Sequence, residues 1–201
     1  MKAHVVIALV GVVIGSVATA PVAHGEESAW RNPASERVTF VGGVGYLEPL
    51  GQFGDTVDGG VLVSAGGFYR LIEYVAPEFA IQYGQIDPEG RGSMSTMRVL
   101  GGVRGFVLPA EFPLRPWGGI LAGWGHYDRS GGSALPGIIA FNREKRDDVM
   151  VSAGGGLEWR LHPNFEIGAN VRYDVSFTDD GETGEEDLKS VSVLGVLLFN
   201  Y

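Results

Sequence analysis

Asp148 to Asp179 reads DVMVSAGGGLEWRLHPNFEIGANVRYDVSFTD. In its second half Phe165, Ile167, Ala169, Val171, Tyr173, Val175 and Phe177 share one parity. Glu166, Gly168, Asn170, Arg172, Asp174, Ser176 and Thr178 share the other. A period of 2 with one apolar and one polar face is the pattern of a β-strand. The first half repeats it: Val149, Val151, Ala153, Gly155, Leu157 and Trp159 alternate with Asp148, Met150, Ser152, Gly154, Gly156, Glu158 and Arg160. His162-Pro163-Asn164 between the halves is a tight-turn signal. The stretch predicts a hairpin of two long strands.

A soluble sandwich also alternates apolar-in and polar-out. Three features of this hairpin point elsewhere. Its strands run past ten residues, against about 5–6 in soluble sheets. Its polar face carries Glu158, Arg160, Arg172 and Asp174 close together, which suits a paired interior network. Its apolar face mixes small residues with aromatics near the strand ends. These are the marks of a transmembrane β-strand pair, with lipid outside and polar groups within.

Composition agrees. The chain has 201 residues, enough for one domain. Gly accounts for 32 of them, about twice the ordinary share of roughly 7%, and no G-x-y period accompanies the excess. Glycine weakens a strand interior, but small residues suit a narrow closed barrel. Apolar content of 45% and mean hydropathy of +0.10 are those of a soluble protein. A membrane barrel shows the same values, because only alternate strand residues meet lipid. Net charge is -9. Nucleic acid is excluded as a partner, since its binding needs a basic face. There are no cysteines, so disulfide and thiolate chemistry are excluded.

Residues 1–25 read as a cleaved signal peptide. Lys2 is the only formal charge before residue 26, Val5 to Val17 form an apolar core, and Ala18-Thr19-Ala20 has the small-x-small form of a cleavage site. Pro21 hinders cleavage after Ala20, so Ala23-His24-Gly25 competes with it. The core is short for a spanning helix of about 20 residues. Residues 26–35 are an N-terminal lead, and 36–201 form the barrel domain.

The same alternation divides the barrel into eight strands, at about 37–47, 60–71, 78–86, 95–108, 117–128, the two of the opening hairpin, and 189–201. Val61, Val63, Ala65, Gly67, Tyr69 and Leu71 point out of the second, with Ser64 and Arg70 inward. Phe79, Ile81 and Tyr83 point out of the third, with Gln82 inward. In the fourth, Met97, Val99, Gly101, Val103, Gly105 and Val107 face out, and Thr96, Arg98, Gly102 and Arg104 face in. The fifth strand is the least regular, and Trp124 and His126 are assigned with Ala122 to its inward face. Pro109 to Pro116 carries three prolines and is read as a link excluded from any central strand. Links after strands two, four and six are short or proline-bearing. The others are more polar, and loop 129–147 is the longest. Transmembrane barrels have short periplasmic turns and longer outer loops, which places both termini in the periplasm. The expected fold is all-β, an eight-stranded antiparallel transmembrane β-barrel in the cell outer membrane.

GGGLEWRLHPNFEIGANVRYDVSF and the closing run Val191-Ser192-Val193-Leu194-Gly195-Val196-Leu197-Leu198-Phe199-Asn200-Tyr201 give the chain a family resemblance. It resembles the small eight-stranded outer-membrane β-barrel proteins of Gram-negative bacteria, the opacity-type, OmpA-like group, over about 36–201. The resemblance implies contact with outer-membrane lipid and lipopolysaccharide. It also implies recognition of the C-terminal strand by the outer-membrane assembly machinery, with Tyr201 in the place of the commoner terminal Phe. It implies a fold and a location more firmly than an activity, and adds adhesion, through an extracellular surface ligand of the loops, to the functions in view. A monomer is expected.

Candidate chemistry is sparse. His126, Asp128 and Ser130, with Glu144 beyond, contain the residue types of a hydrolytic triad. The lipid A deacylases carry a His-x-Ser pair, and here position 128 is Asp, so no catalytic residue is assigned and the chain is read as a non-enzyme. Asp179, Asp180, Glu182, Glu185, Glu186 and Asp187 crowd one loop, without EF-hand spacing because Gly181 comes too early. No metal site is assigned. Arg143, Lys145 and Arg146 are candidates for lipopolysaccharide phosphate, interleaved with Glu144, Asp147 and Asp148. The Gly-Gly and Gly-Gly-Gly runs precede no helix and carry no G-K-[ST], so they are not phosphate loops, and no cofactor is expected. The primary reading is a structural outer-membrane barrel whose loops serve envelope integrity or surface contact. A narrow channel or uptake porin, and a lipid A-modifying or other hydrolase, are the alternatives. The charges of both signs on the inward parity, Arg98, Arg104, Glu158, Arg160, Arg172 and Asp174, predict a lumen blocked by ion pairs.

Overall fold

The computed structural model describes residues 38–51, 59–86, 92–131, 144–177 and 188–201. The expected signal peptide and lead, residues 87–91, most of the expected loop 129–147 and the acidic stretch 179–187 fall outside these residues. Eight strands form one closed barrel: β1 Val38–Leu50, β2 Gly60–Tyr69, β3 Val75–Ile86, β4 Gly92–Phe106, β5 Leu114–Gly131, β6 Glu144–His162, β7 Phe165–Phe177 and β8 Leu188–Asn200. Each strand pairs antiparallel with its sequence neighbour, and β1 closes on β8 from Thr39↔Asn200 to Leu50↔Lys189. Closure leaves no unpaired strand edge, the condition for β-structure in hydrocarbon.

Parity decides what faces lipid. Phe40, Val44, Val61, Val63, Phe79, Ile81, Val99, Val103, Ile120, Val149, Val171 and Leu197 are all exposed large hydrophobics. A soluble fold would bury such side chains; here they form the continuous lipid-facing band. Aromatic side chains flank it, with Phe40, Tyr69, Phe79 and Phe199 towards the short-turn end and Tyr83, Trp124, Tyr173 and Phe177 towards the other. This is the aromatic girdle of a membrane barrel. β5 and β6 are the longest strands and extend the wall at the end away from the termini.

Three expectations need correction. Pro116 lies inside β5, opposite Leu157. It is the third residue of its strand, near the rim, where its carbonyl accepts from Val107 N–H at 3.0 Å and no central ladder bond is lost. The loop expected at 129–147 is shorter, because β5 runs to Gly131 and β6 starts at Glu144 with Arg129↔Glu144 paired. Finally, Ala122, Trp124 and His126 face out. The inward face of β5 is Arg115, Trp117, Gly119, Leu121, Gly123, Gly125 and Tyr127, whose large members are buried. The reason is steric. A Cβ on inward Gly123 would sit 2.0 Å from the Val99 carbonyl oxygen, so the crowded lumen takes glycine there and Trp124 goes to the membrane interface.

Candidate functional site

The lumen is amphipathic. Leu47 of β1, Leu62 of β2, and Leu194, Val196 and Leu198 of β8 line one wall, joined by Phe68, Phe106 and Trp117. The opposite wall is charged. Arg104 of β4 donates from Nε and Nη2 to the two oxygens of Glu78 on β3, at 3.0 and 2.9 Å. Its Nη1 donates to Glu158 of β6. Glu158 accepts also from Arg115 of β5 at 3.4 Å. Arg115 donates to Glu166 of β7, which accepts from Arg160 Nε at 3.2 Å and Asn200 Nδ2 at 2.9 Å. Arg172 of β7 donates to Glu78 at 2.6 Å. The result is one alternating chain, Arg172, Glu78, Arg104, Glu158, Arg115, Glu166, Arg160, drawn from β3 to β7. Asn200 extends it to β8, and through its hydrogen bond from Thr39 at 2.7 Å to β1.

Aromatic faces complete the cage. The Arg104 guanidinium lies 3.8 Å from the Trp117 ring centre and 4.5 Å from that of Phe68. A desolvated cation over an aromatic face gains about 2 kcal/mol. Nearer the end away from the termini Arg98 spans the lumen to Asp174 at 2.8 Å and Ser190 at 3.4 Å. Arg146 binds Asp148 at 2.7 Å, and Tyr127 and Ser176 share a hydrogen bond of 2.7 Å.

All six inward charges expected from parity, Arg98, Arg104, Glu158, Arg160, Arg172 and Asp174, are buried and ion-paired. Sequence reasoning missed Arg115, which it placed in a link, and did not single out Glu78 and Glu166. Counting parity back from Trp117 finds Arg115, and counting forward from Arg160 through the turn finds Glu166. Arg146, a candidate for lipopolysaccharide phosphate, is turned inward onto Asp148 instead. Lys145 is exposed, and Arg143 lies outside the described residues.

The one His of interest sits on the outer surface. His126 Nδ1 is 2.6 Å from Asp147 Oδ1, its strand partner on β6, and its ring stacks on Trp124 at 5.7 Å between centres. Asp147 therefore holds the ring; the residues considered with His126 from the sequence were Asp128, Ser130 and Glu144. Among the described residues no group of three His, Asp or Glu is placed to hold a metal ion. The acidic loop lies outside them.

A lipid-facing girdle around a lumen packed with ion pairs defines a class of fold: the closed eight-stranded transmembrane β-barrel. Solved structures share the fold. Neisserial surface protein A matches with a TM-score of 0.61 and 11% identity, over 82% of this chain and 97% of that one. Ail, the attachment invasion locus protein of Yersinia pestis, matches at 0.51 and 17%, over 83% and 99%. OprG of Pseudomonas aeruginosa matches at 0.50 and 10%, over 83% and 94%. No family model and no curated protein matches the sequence.

Proposed function

We propose that this chain is a structural, non-enzymatic and monomeric outer-membrane barrel whose outward loops serve envelope integrity or surface contact. The observation that carries the reading is the occupied lumen. Four arginines and three glutamates in one hydrogen-bonded chain fill the section that a solute would have to cross. An eight-stranded barrel is only wide enough for its side chains. What remains for function is surface, and binding residues on a rigid scaffold sit in its loops. Ail and Neisserial surface protein A are named for attachment and for the cell surface, which is in line with this reading. Fold alone does not assign a function. Outer-membrane lipid and lipopolysaccharide are the surroundings, and Val191 to Tyr201 is the segment offered to the assembly machinery.

A deletion strain tests the proposal. Loss of surface attachment with a tight envelope assigns loop binding; a leaky envelope with normal attachment assigns the structural role. A deletion strain with unchanged attachment and an unchanged, tight envelope would refute the proposal. One observation favours a second reading as a lipid hydrolase, the His126–Asp147 pair at the lipid surface, because a carboxylate on Nδ1 leaves Nε2 as the base. Mass spectrometry of lipid A incubated with the purified barrel tests that reading. Acyl loss abolished by His126→Ala would establish it, and unchanged lipid A would remove it.

A further inference from the structure

The lipid-facing band is uneven on the side where the barrel closes. In one row of outward positions Phe199 of β8, Phe40 of β1, Gly67 of β2 and Phe79 of β3 stand opposite one another in register. The next row, two residues further along each strand, is Leu197, Gly42, Ala65 and Ile81. Small outward residues, Gly42, Ala65 and Gly67, thus meet in a dip ringed by large apolar side chains. A hollow of about 380 Å³ lies over Gly42 and Ala65, walled by Phe40, Leu197 and Phe199, with Phe165 of β7 at its edge. A second, of about 280 Å³, lies over Gly67 between Tyr69, Phe79 and the same Phe40 ring. Tyr69 stands at its short-turn rim.

The two floor glycines are there for different reasons. A Cβ at Gly67 would lie 2.7 Å from the Thr39 carbonyl oxygen, so the barrel itself excludes a side chain. A Cβ at Gly42 would meet nothing within 4 Å. That space is open to whatever packs from outside. In hydrocarbon an unfilled hollow forfeits dispersion contacts along its lining, and small residues let an apolar neighbour approach the backbone closely. The chemistry of the walls narrows the occupant. Of the outward residues lining the hollows, only Tyr69 carries a polar side-chain atom. Thr39 and Glu78, also in the second wall, turn their side chains into the lumen and are hydrogen-bonded there. A small-molecule site ordinarily places several polar groups to orient its ligand, and a protein interface has a polar rim. These walls offer one hydroxyl, and they are continuous with the band that faces lipid.

We propose that the two hollows form a seat for one acyl chain of a glycerophospholipid from the leaflet on the short-turn side. The chain passes Tyr69 at the rim, lies over Gly67 beside the Phe40 ring and ends over Gly42 and Ala65. It is held there in preference to the rest of the lipid-facing band, because only here does the wall recede beneath it between large side chains.

The test uses the whole refolded barrel in phosphatidylcholine vesicles that carry a small fraction of phosphatidylcholine with a diazirine on one acyl chain. Photolysis and peptide mapping then locate the chain. Insertion should concentrate on β1, β2 and β8 around Gly42, Ala65 and Leu197. Gly42→Leu fills the larger hollow and should abolish that concentration. Gly101→Leu is the control. Gly101 also faces lipid with nothing within 4 Å of its Cβ, but it lines neither hollow, so this variant should cross-link as the wild type does. Insertion spread evenly round the barrel, or an equal effect of the two variants, overturns the proposal. A dimer in detergent that Gly42→Leu dissociates also overturns it, because the hollow then seats a second copy of the chain. Should Gly42→Leu fail to refold, Ala65→Leu fills the same hollow and takes its place.

Discussion

At the residue scale, the chemistry of this protein is that of shared carboxylates. Glu158 is wholly buried and serves two arginines, Arg104 and Arg115, from different strands. Removing it takes one acceptor from each of two buried cations, which keep Glu78 and Glu166 respectively. Glu158→Ala should cost about 3–5 kcal/mol, the range for breaking a buried pair, read as a lowered urea midpoint in vesicles. His126 and Asp147 make the opposite case. Their side chains are 29% and 61% exposed, and water screens such pairs. His126→Ala should change stability by less than about 1 kcal/mol in the same measurement. The pair was invisible to sequence reasoning because the two residues lie 21 apart and meet only through the register of β5 on β6.

At the element scale, strand parity turns neighbouring glycines into opposite cases. Gly101 faces lipid, and a Cβ there meets nothing within 4 Å. Gly102 faces the lumen, and its Cβ would lie 2.1 Å from the Ile120 carbonyl oxygen on β5. Gly101→Ala should leave the unfolding midpoint unchanged. Gly102→Ala should lower it, with about 1–3 kcal/mol of overpacking cost. Equal effects at both positions would refute the parity assigned to β4. The same rule explains the misreading of β5. Its inward face alternates Arg115, Trp117, Leu121 and Tyr127 with Gly119, Gly123 and Gly125, so apolarity alone does not distinguish it from the lipid face. Where both faces of a strand are apolar, a period of 2 loses its contrast.

At the scale of the whole molecule, two measurements test the barrel as a plugged pin with one polarity. Planar bilayers containing the refolded protein should show no large, stable conductance, whereas a narrow uptake channel predicts steady open levels that change in Arg172→Ala. For orientation, exposed Lys145 lies at the end of the long loops and exposed Asn164 in the shortest turn. An impermeant thiol reagent should label Lys145→Cys on intact cells and Asn164→Cys only after permeabilisation. The reverse pattern would invert the barrel.

The sequence by itself determined the fold class, the number of strands and the sorting of side chains on most of them. Period-2 alternation is local, and one glance along Phe165 to Phe177 tells lipid from lumen. It also placed six of the lumen's charges inside before any contact was known. Only the tertiary structure decided who pairs with whom. Glu78 and Arg172 are 94 residues apart, and Arg98 and Ser190 are 92; they meet because the barrel closes and a guanidinium can span its narrow lumen. Closure likewise chose Asp147 for His126 and put Pro116 at a rim where its missing N–H costs nothing. Such pairings depend on strand register and barrel diameter, which are properties of the assembled sheet and leave no trace in the spacing of residues along the chain.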